Sequence, residues 1–401
     1  MVRHVNNLIT AGVLCRQGSG RGTVYLRNDL HAYFELPPTE RPAKGYDFSL
    51  FDRYEPNGEG FFTKQELALL ASNSEFLIED ASTYLKNLYL KLVVDLSYAS
   101  SRLEGNTYSY ADTQALIELG EPVPGKTEEE TIMVLNHRNC ISYLFDNIKS
   151  LELTPSTIKE VHSLLSIDLI QRRYVGAIRD VVVGIGGSSY TPLDNRFQLE
   201  EELFRLTSLA NQIENPFEQS LFLLVYLSYL QAFWDVNKRT ARLAANIPLL
   251  KKHLFPLSFI TMKKSEYIQG LLTFYELQQI GPLKQAYIDG YLKSINRYKD
   301  RADIIRTNAR ETLIFRSAIK IGLCRYIRYF PSLSVRDIAA ELIDTQIISR
   351  NDSEHLAKSG IDKEKYLTQE MQDAIDSINS ANCVAYGLSR EEWLEYAKKR
   401  R

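Results

Sequence analysis

The chain has 401 residues, a formal net charge of −2, 44% hydrophobic and 24% charged residues. That balance is ordinary for a folded globular protein of one large domain with smaller ones, or of two or three ordinary domains. It excludes fibrous and low-complexity classes and argues against whole-protein affinity for nucleic acid or membrane. Four cysteines, Cys15, Cys140, Cys324 and Cys383, lie far apart without a CxxC pair, so neither a disulfide framework nor a zinc site is expected. Met1 to Asn7 is polar and reads as no signal peptide, and no apolar run approaches the roughly 20 residues that span a bilayer. A soluble, cytoplasmic protein without membrane contact is the expectation.

In chain order, Val2 to Ala11 has the period of an amphipathic helix that Gly12 stops. Val13-Leu14-Cys15 and Thr23-Val24-Tyr25-Leu26 read as short strands around the turn Gln17-Gly18-Ser19-Gly20-Arg21-Gly22. Helix, strand, basic Gly-rich turn and strand resemble the second half of a winged helix-turn-helix. Arg3, His4, Arg16, Arg21 and Arg27 bias it toward phosphate contacts, so the resemblance implies DNA binding through residues 1–30. A winged helix used for protein contacts and a generic hairpin stay open as alternatives.

Pro37-Pro38, Pro42 and Gly45 mark a linker, and Phe61 to Leu70 has a helical pattern. Long helical periods begin at Phe76. Ser100-Ser101-Arg102-Leu103-Glu104-Gly105-Asn106 reads as a helix end at Gly105. Glu128 to Phe145 is amphipathic, and Thr154 is a natural cap before Pro155. The β-branched and glycine-rich stretch from Gly176 to Pro192 predicts a hairpin inside an otherwise helical region.

The apolar run Leu221 to Leu230 leads into Gln231-Ala232-Phe233-Trp234-Asp235-Val236-Asn237-Lys238-Arg239-Thr240-Ala241-Arg242, and Leu243 to Leu250 is apolar again. Buried helix, polar loop, buried helix is how a chain holds a phosphate: loop N–H groups and a helix N-terminus favour an anion. Arg239 and Arg242, three apart, share one helix face, and Asp235 offers a carboxylate to a divalent cation.

This stretch resembles the signature of the Fic (Fido) family, His-Pro-Phe-x-Asp/Glu-Gly-Asn-Gly/Lys-Arg-x-x-Arg. Phe233, Asp235, Asn237, Lys238, Arg239 and Arg242 match it, while Gln231, Ala232 and Val236 replace its His, Pro and first Gly. The resemblance covers roughly residues 76–298. It implies ATP with Mg²⁺ as cofactor, Asp235 holding the metal, and Asn237, Lys238, Arg239 and Arg242 at the phosphates, Asn237 alternatively fixing the loop. It implies AMP transfer to a target hydroxyl. The family's general base is the His, and a glutamine amide at Gln231 has no basic lone pair, so transfer is expected to be impaired. Val236 removes a residue suited to positive φ and predicts a reshaped, looser anion nest. A His restored at 231 alone is therefore expected to give little rescue.

Two further segments fall in the family's order. Ser100 and Glu104 match its inhibitory motif, in which Glu104 would pair with Arg242 and compete with the nucleotide. Gly186, Gly187, Ser188, Ser189 and Tyr190 fall in its flap, which pairs with a target protein's main chain. By spacing, Tyr267, Ile268 and Tyr275 fall on the adenine side, though core packing is the commoner fate of such residues. The layout also implies a homodimer. Arg301 to Arg401 lies outside the resemblance, with helical patterns from Ser334, over Lys363–Ile378 and over Ser389–Lys399.

The expected fold is mainly α: a Fic-type helical core (76–298, inhibitory helix near 97–105) with a β-hairpin flap. A winged-helix-like α/β segment (1–36), a linker with a short helix (37–75) and a helical C-terminal accessory domain (299–401) complete it. The leading function is a degenerate Fic-domain protein that binds a nucleotide or phosphate ligand. A transcriptional regulator or interaction protein using the fold as scaffold is one alternative. An adenylyltransferase with another base, His162 being the candidate on the core helices, is the other.

Overall fold

The structure, a computed structural model, describes residues 14–17, 23–27, 30–72, 82–120, 122–300, 309–344, 362–378 and 388–400, with Val5 and Cys383 singly. The expected Val2–Ala11 helix, apart from Val5, and the Gly18–Gly22 turn lie outside them. The fold is mainly α, as expected. The expected strands are present as an antiparallel ribbon, β1 (Leu14–Gln17) and β2 (Val24–Arg27), in register Leu14↔Arg27 to Gln17↔Val24.

Two compact units interleave along the sequence. The first comprises Met1–Phe76, Ser142–Leu257 and Met262–Lys293, the second Leu77–Ile141, Ser258–Thr261 and Ser294–Arg401. The C-terminal helices thus cluster with the segment that precedes the signature rather than forming a unit of their own.

In the first unit come α1 (Leu30–Glu35) and α2 (Lys64–Ala71), the latter opened by a Thr63–Glu66 capping box. The second unit holds α3 (Ser82–Leu103), α4 (Tyr110–Leu119) and most of α5 (Glu128–Asn147). Back in the first unit, α6 (Pro155–Ser166) starts at the Thr154 cap with Pro155 in its first turn, as its sequence predicts. α7 (Arg196–Gln212) follows, then α8 (Pro216–Leu230), the helix at the unit's centre. Leu221 to Leu230 of α8 are buried on every side, which suits a helix apolar all round. α7, α9 (Asn237–Ala244), α10 (Ile247–Lys251) and α11 (Lys264–Leu277) pack on it, and α12 (Gly281–Asp300) follows.

The rest of the second unit is α13 (Ala309–Tyr329), α14 (Val335–Asp344), α15 (Lys363–Ser377) and α16 (Arg390–Lys399). Phe315, Leu323, Ile338, Leu342, Leu367 and Met371 knit them into one apolar core. At the end of α3, Asn106 N–H donates to Ser101 O (3.1 Å) and Gly105 N–H to Arg102 O (3.0 Å). With Gly105 at φ 102°, this is a Schellman motif, and it leaves Glu104 as the last residue of the helix turn.

The expected hairpin over Gly176–Pro192 is not a ladder. Its tip is a turn from Ile185 to Ser188 (Ser188 N–H to Ile185 O, 3.1 Å), with Gly187 at φ 79° where a type II turn requires a positive value. Its arms are irregular, and its one bridge is a parallel one between Tyr190 and Lys44. Arg179 N–H, Ser189 O and Thr191 N–H of these arms bond to distant residues, Ala232 and Lys44.

Candidate functional site

Residues 231–236 connect α8 to α9, and the connection is built from the inside. Gln231 caps α8 in the left-handed region (φ 49°, ψ 49°). Its side-chain amide donates to Ser228 O (2.6 Å), and the residue is buried. Asn237 brackets the loop: its Oδ1 accepts from Phe233 N–H (2.9 Å) and its Nδ2 donates to Phe233 O (2.7 Å). The side chain is thus committed to closing the loop, the second of its two expected roles.

Val236 also sits in the left-handed region (φ 64°, ψ 5°). A β-branched residue there carries roughly 1–3 kcal/mol of strain and persists only where its surroundings over-determine it. The bracket at Asn237 on one side and the Asp235 carboxylate on the other, its Oδ1 accepting from Val236 N–H at 2.6 Å, supply that constraint. Valine thus takes the conformation for which glycine is the ordinary choice. Val236 offers no side-chain cap to α9, so the first turn of the helix is capped by no side chain from that position.

Arg239 and Arg242 are both buried, at 6% and 0% exposure, so neither is part of a solvated charged face. Arg239 Nη2 lies 3.4 Å from Asp235 Oδ2. The Arg242 guanidinium lies over the Tyr267 ring, 5.7 Å from its centroid. Lys238 is half-buried. Asp235 is exposed, and among the described residues no group of three His, Cys, Asp or Glu side chains converges on a metal position. A lone exposed carboxylate suits Mg²⁺ carried on nucleotide phosphates and water, and does not suit an all-protein cage.

Tyr267 and Tyr275 are core residues. Tyr275 packs with Tyr190 and Tyr229, leaving Ile268, half-buried, as the partly exposed member of the expected adenine side. In the flap, Gly186 and Gly187 are exposed, Ser188 and Ser189 half-buried, and Tyr190 buried with its OH donating to Tyr229 O (3.0 Å). Ser100 is buried in the second unit, where its Oγ meets His137 Nε2 at 2.8 Å.

Two residues that hold the loop carried no sequence signal for that role. Arg179, buried within the Gly176–Pro192 stretch, donates from Nε to Gln231 O (2.7 Å) and from its backbone N–H to Ala232 O (3.1 Å). Its two Nη groups reach Val181 O and Leu193 O, so one fork ties the loop to both arms of the flap. The available hint was a lone cation in an apolar β-branched run.

His162 stacks on Phe233 (centroids 3.9 Å apart, planes 8° apart). Its Nδ1 accepts from Gly176 N–H (3.1 Å), which fixes the proton on Nε2, and Nε2 donates to Asp235 O (3.2 Å). Burial, with the Arg239 charge adding to it, pulls its pKa down to about 4. His162 has no lone pair left for a target hydroxyl and acts as a loop support. Because the folded-state pKa lies below the ordinary value near 6.5, the unfolded chain binds the proton first. This contribution to stability is complete above about pH 6.5 and is lost as the pH falls toward 4, in all on the order of 3 kcal/mol. Denaturant unfolding at pH 7 and pH 5 should show roughly half of that loss, about 2 kcal/mol, and His162→Phe should flatten this part of the slope. An equally steep slope in the variant would contradict it.

The site is thus a buried-helix, polar-loop, short-helix element of a helical domain, with two buried arginines beside a braced loop. Comparison with known proteins gives that class a family. Residues 152–249 match the Fic/DOC family model. The protein adenylyltransferase fic-1 of Caenorhabditis briggsae is 26% identical over 206 residues, which are 49% of this chain and 40% of that protein. The protein adenylyltransferase Fic of Nematostella vectensis is 28% identical over 185 residues, 43% of this chain and 41% of that one. In fold, the chain is similar to Fic-1 from Caenorhabditis elegans (TM-score 0.51, 22% identity, 60% of this chain and 71% of that one). It is similar also to a Fic family protein from Desulfovibrio desulfuricans (TM-score 0.51, 17% identity, 62% and 78%). Together these findings support a Fic-type domain over residues 152–249 and a Fic-like fold around it. The chain spans about 40% of the length of the curated relatives it matches.

Proposed function

We propose that this protein binds ATP, or a ligand with the same phosphates, in a Fic domain that has lost its general base. The observation that carries the reading is the contrast within one loop. Val236 lies in the left-handed region and both arginines are buried beside the loop, while position 231 holds a buried amide donating to Ser228 O and the neighbouring imidazole of His162 is locked as a support. In this reading Arg239, Arg242 and Lys238 bind phosphate oxygens, and Mg²⁺, held by Asp235, supplies charge neutralisation there. Asn237, Arg179 and His162 fix the loop. Glu104, at the end of α3 four residues after Ser100, is in this reading the inhibitory carboxylate. The flap residues 186–190 meet a target protein.

Loss of a general base costs roughly a hundred- to ten-thousand-fold in rate. Transfer of labelled AMP from ATP to lysate proteins is therefore expected to be at background for the natural chain. Since Val236 holds the loop in its left-handed shape, Gln231→His is expected to raise transfer by at least about a hundredfold. This reading departs from the expectation of little rescue, and it rests on the left-handed backbone of Val236. If Gln231→His binds ATP yet stays at background, the loop does not present an α-phosphate to a hydroxyl, and catalytic ancestry falls out of the account.

A second reading rests on the β1–β2 ribbon, an antiparallel pair that carries Arg16 and Arg27. Binding of DNA through residues 1–30 would appear as a gel shift that weakens steeply with salt. A shift insensitive to Arg16→Ala and Arg27→Ala would remove that role.

A further inference from the structure

The flap's main chain already has a partner, and it comes from this chain. Lys44 N–H donates to Ser189 O (3.1 Å) and Thr191 N–H donates to Lys44 O (2.7 Å), forming the parallel bridge between Lys44 and Tyr190. Side chains reinforce it. Arg41 Nη1 lies 2.8 and 2.9 Å from the two carboxylate oxygens of Glu276 on α11, and Arg41 Nη2 donates to Gly187 O (2.6 Å). The same carboxylate accepts from Ser188 Oγ (2.8 Å), Ser189 N–H (3.1 Å) and Tyr33 OH (3.0 Å). Ser189 Oγ lies within reach of both Glu276 Oε2 (2.9 Å) and Pro42 O (3.0 Å). Arg41 and Glu276 are 6% and 1% exposed.

We infer that residues 41–44 are a built-in occupant of a peptide-binding edge on the flap, displaced by an extended segment of a partner protein that brings its own arginine to Glu276. The inference rests on the reading of residues 176–192 as the segment that meets a target. Main-chain pairing is blind to sequence, so any extended segment competes for the Ser189 and Thr191 groups. Glu276 makes the choice. Without Arg41 its buried carboxylate would keep only neutral donors, and a partner lacking a cation would leave it so. An arginine fork reproduces both the paired contact to the carboxylate and the bond to Gly187 O, which a lysine does not. Detachment is cheap in structure, because the segment belongs to the irregular connection between Glu35 and the 3₁₀ turn at Phe48–Leu50. No helix unwinds when it leaves.

A fluorescent peptide of residues 38–47 added to the full chain tests this by anisotropy. The double variant Arg41→Ala, Lys44→Pro, which empties the edge in cis, is expected to bind the peptide at least tenfold tighter than the natural chain. A peptide in which alanine replaces the arginine should lose at least tenfold. A folded double variant that binds no better than the natural chain overturns the inference. Should that variant not fold, amide exchange of Lys44 and Thr191 in Arg41→Lys decides: at least tenfold faster exchange supports the clamp, and unchanged exchange overturns it. An ATP titration of the same proteins separates this result from the nucleotide reading, because opening the edge leaves the ATP heat as it was.

Discussion

Asn237→Ala is expected to collapse the signature loop. Phe233 is buried, and the substitution leaves its N–H and C=O, now both bonded to one amide, without partners. Each orphaned main-chain group costs about 1–3 kcal/mol. Val236 would lose part of the constraint that holds it at positive φ and relax toward ordinary backbone, taking the arginines' approach to phosphate with it. Denaturant unfolding should register the loss in full. Asn237→Asp keeps the acceptor for Phe233 N–H and removes the donor to Phe233 O, so about half the loss should remain. Equal stability of natural and alanine proteins would show that the bracket does not hold the loop.

Arg179→Met is expected to act on the same loop from the other side. The substitution deprives the carbonyls of Gln231, Val181 and Leu193 of a shared donor, on the order of 3 kcal/mol after allowance for the buried charge removed with it. Arg179→Lys retains the charge but not the planar fork, and one ammonium cannot satisfy three divergent carbonyls in that geometry. The lysine variant should therefore fall close to methionine in unfolding midpoint. Near-natural stability for lysine would mean that charge alone sufficed. The two substitutions also separate function from folding, because neither residue is assigned to the phosphates. Loss of ATP heat in a folded Arg179→Lys protein would mark loop position as the cause.

Much of this architecture is legible in residue order because its signals are local. Thr154-Pro155, Ser334 and Ser389 cap the helices that their sequence predicts, and the switch from the apolar Leu221–Leu230 to a polar loop marks the site without any partner being known. Legibility fails where the decisive partner is far away. The Gly176–Pro192 stretch has the composition of a hairpin, yet its bonds go to Lys44, Gln231 and Ala232, which no local pattern announces. Val236 reads as a break with glycine geometry because intrinsic preference is local, while the Asn237 bracket that overrides it depends on the closed loop. Tyrosines leave both roles open in the sequence for a related reason. A ring with one polar end suits both a ligand site and a core, and burial, visible for Tyr267 and Tyr275, is a property of the whole fold.

Isothermal titration of the full chain with ATP and Mg²⁺, alongside Arg239→Ala shown by circular dichroism to be folded, bears most directly on whether the phosphate cradle is alive. Saturable heat at or below millimolar ATP in the natural chain, weakened at least tenfold by Arg239→Ala, is the predicted result. No heat at millimolar ATP, or binding that ignores the arginine, would contradict it.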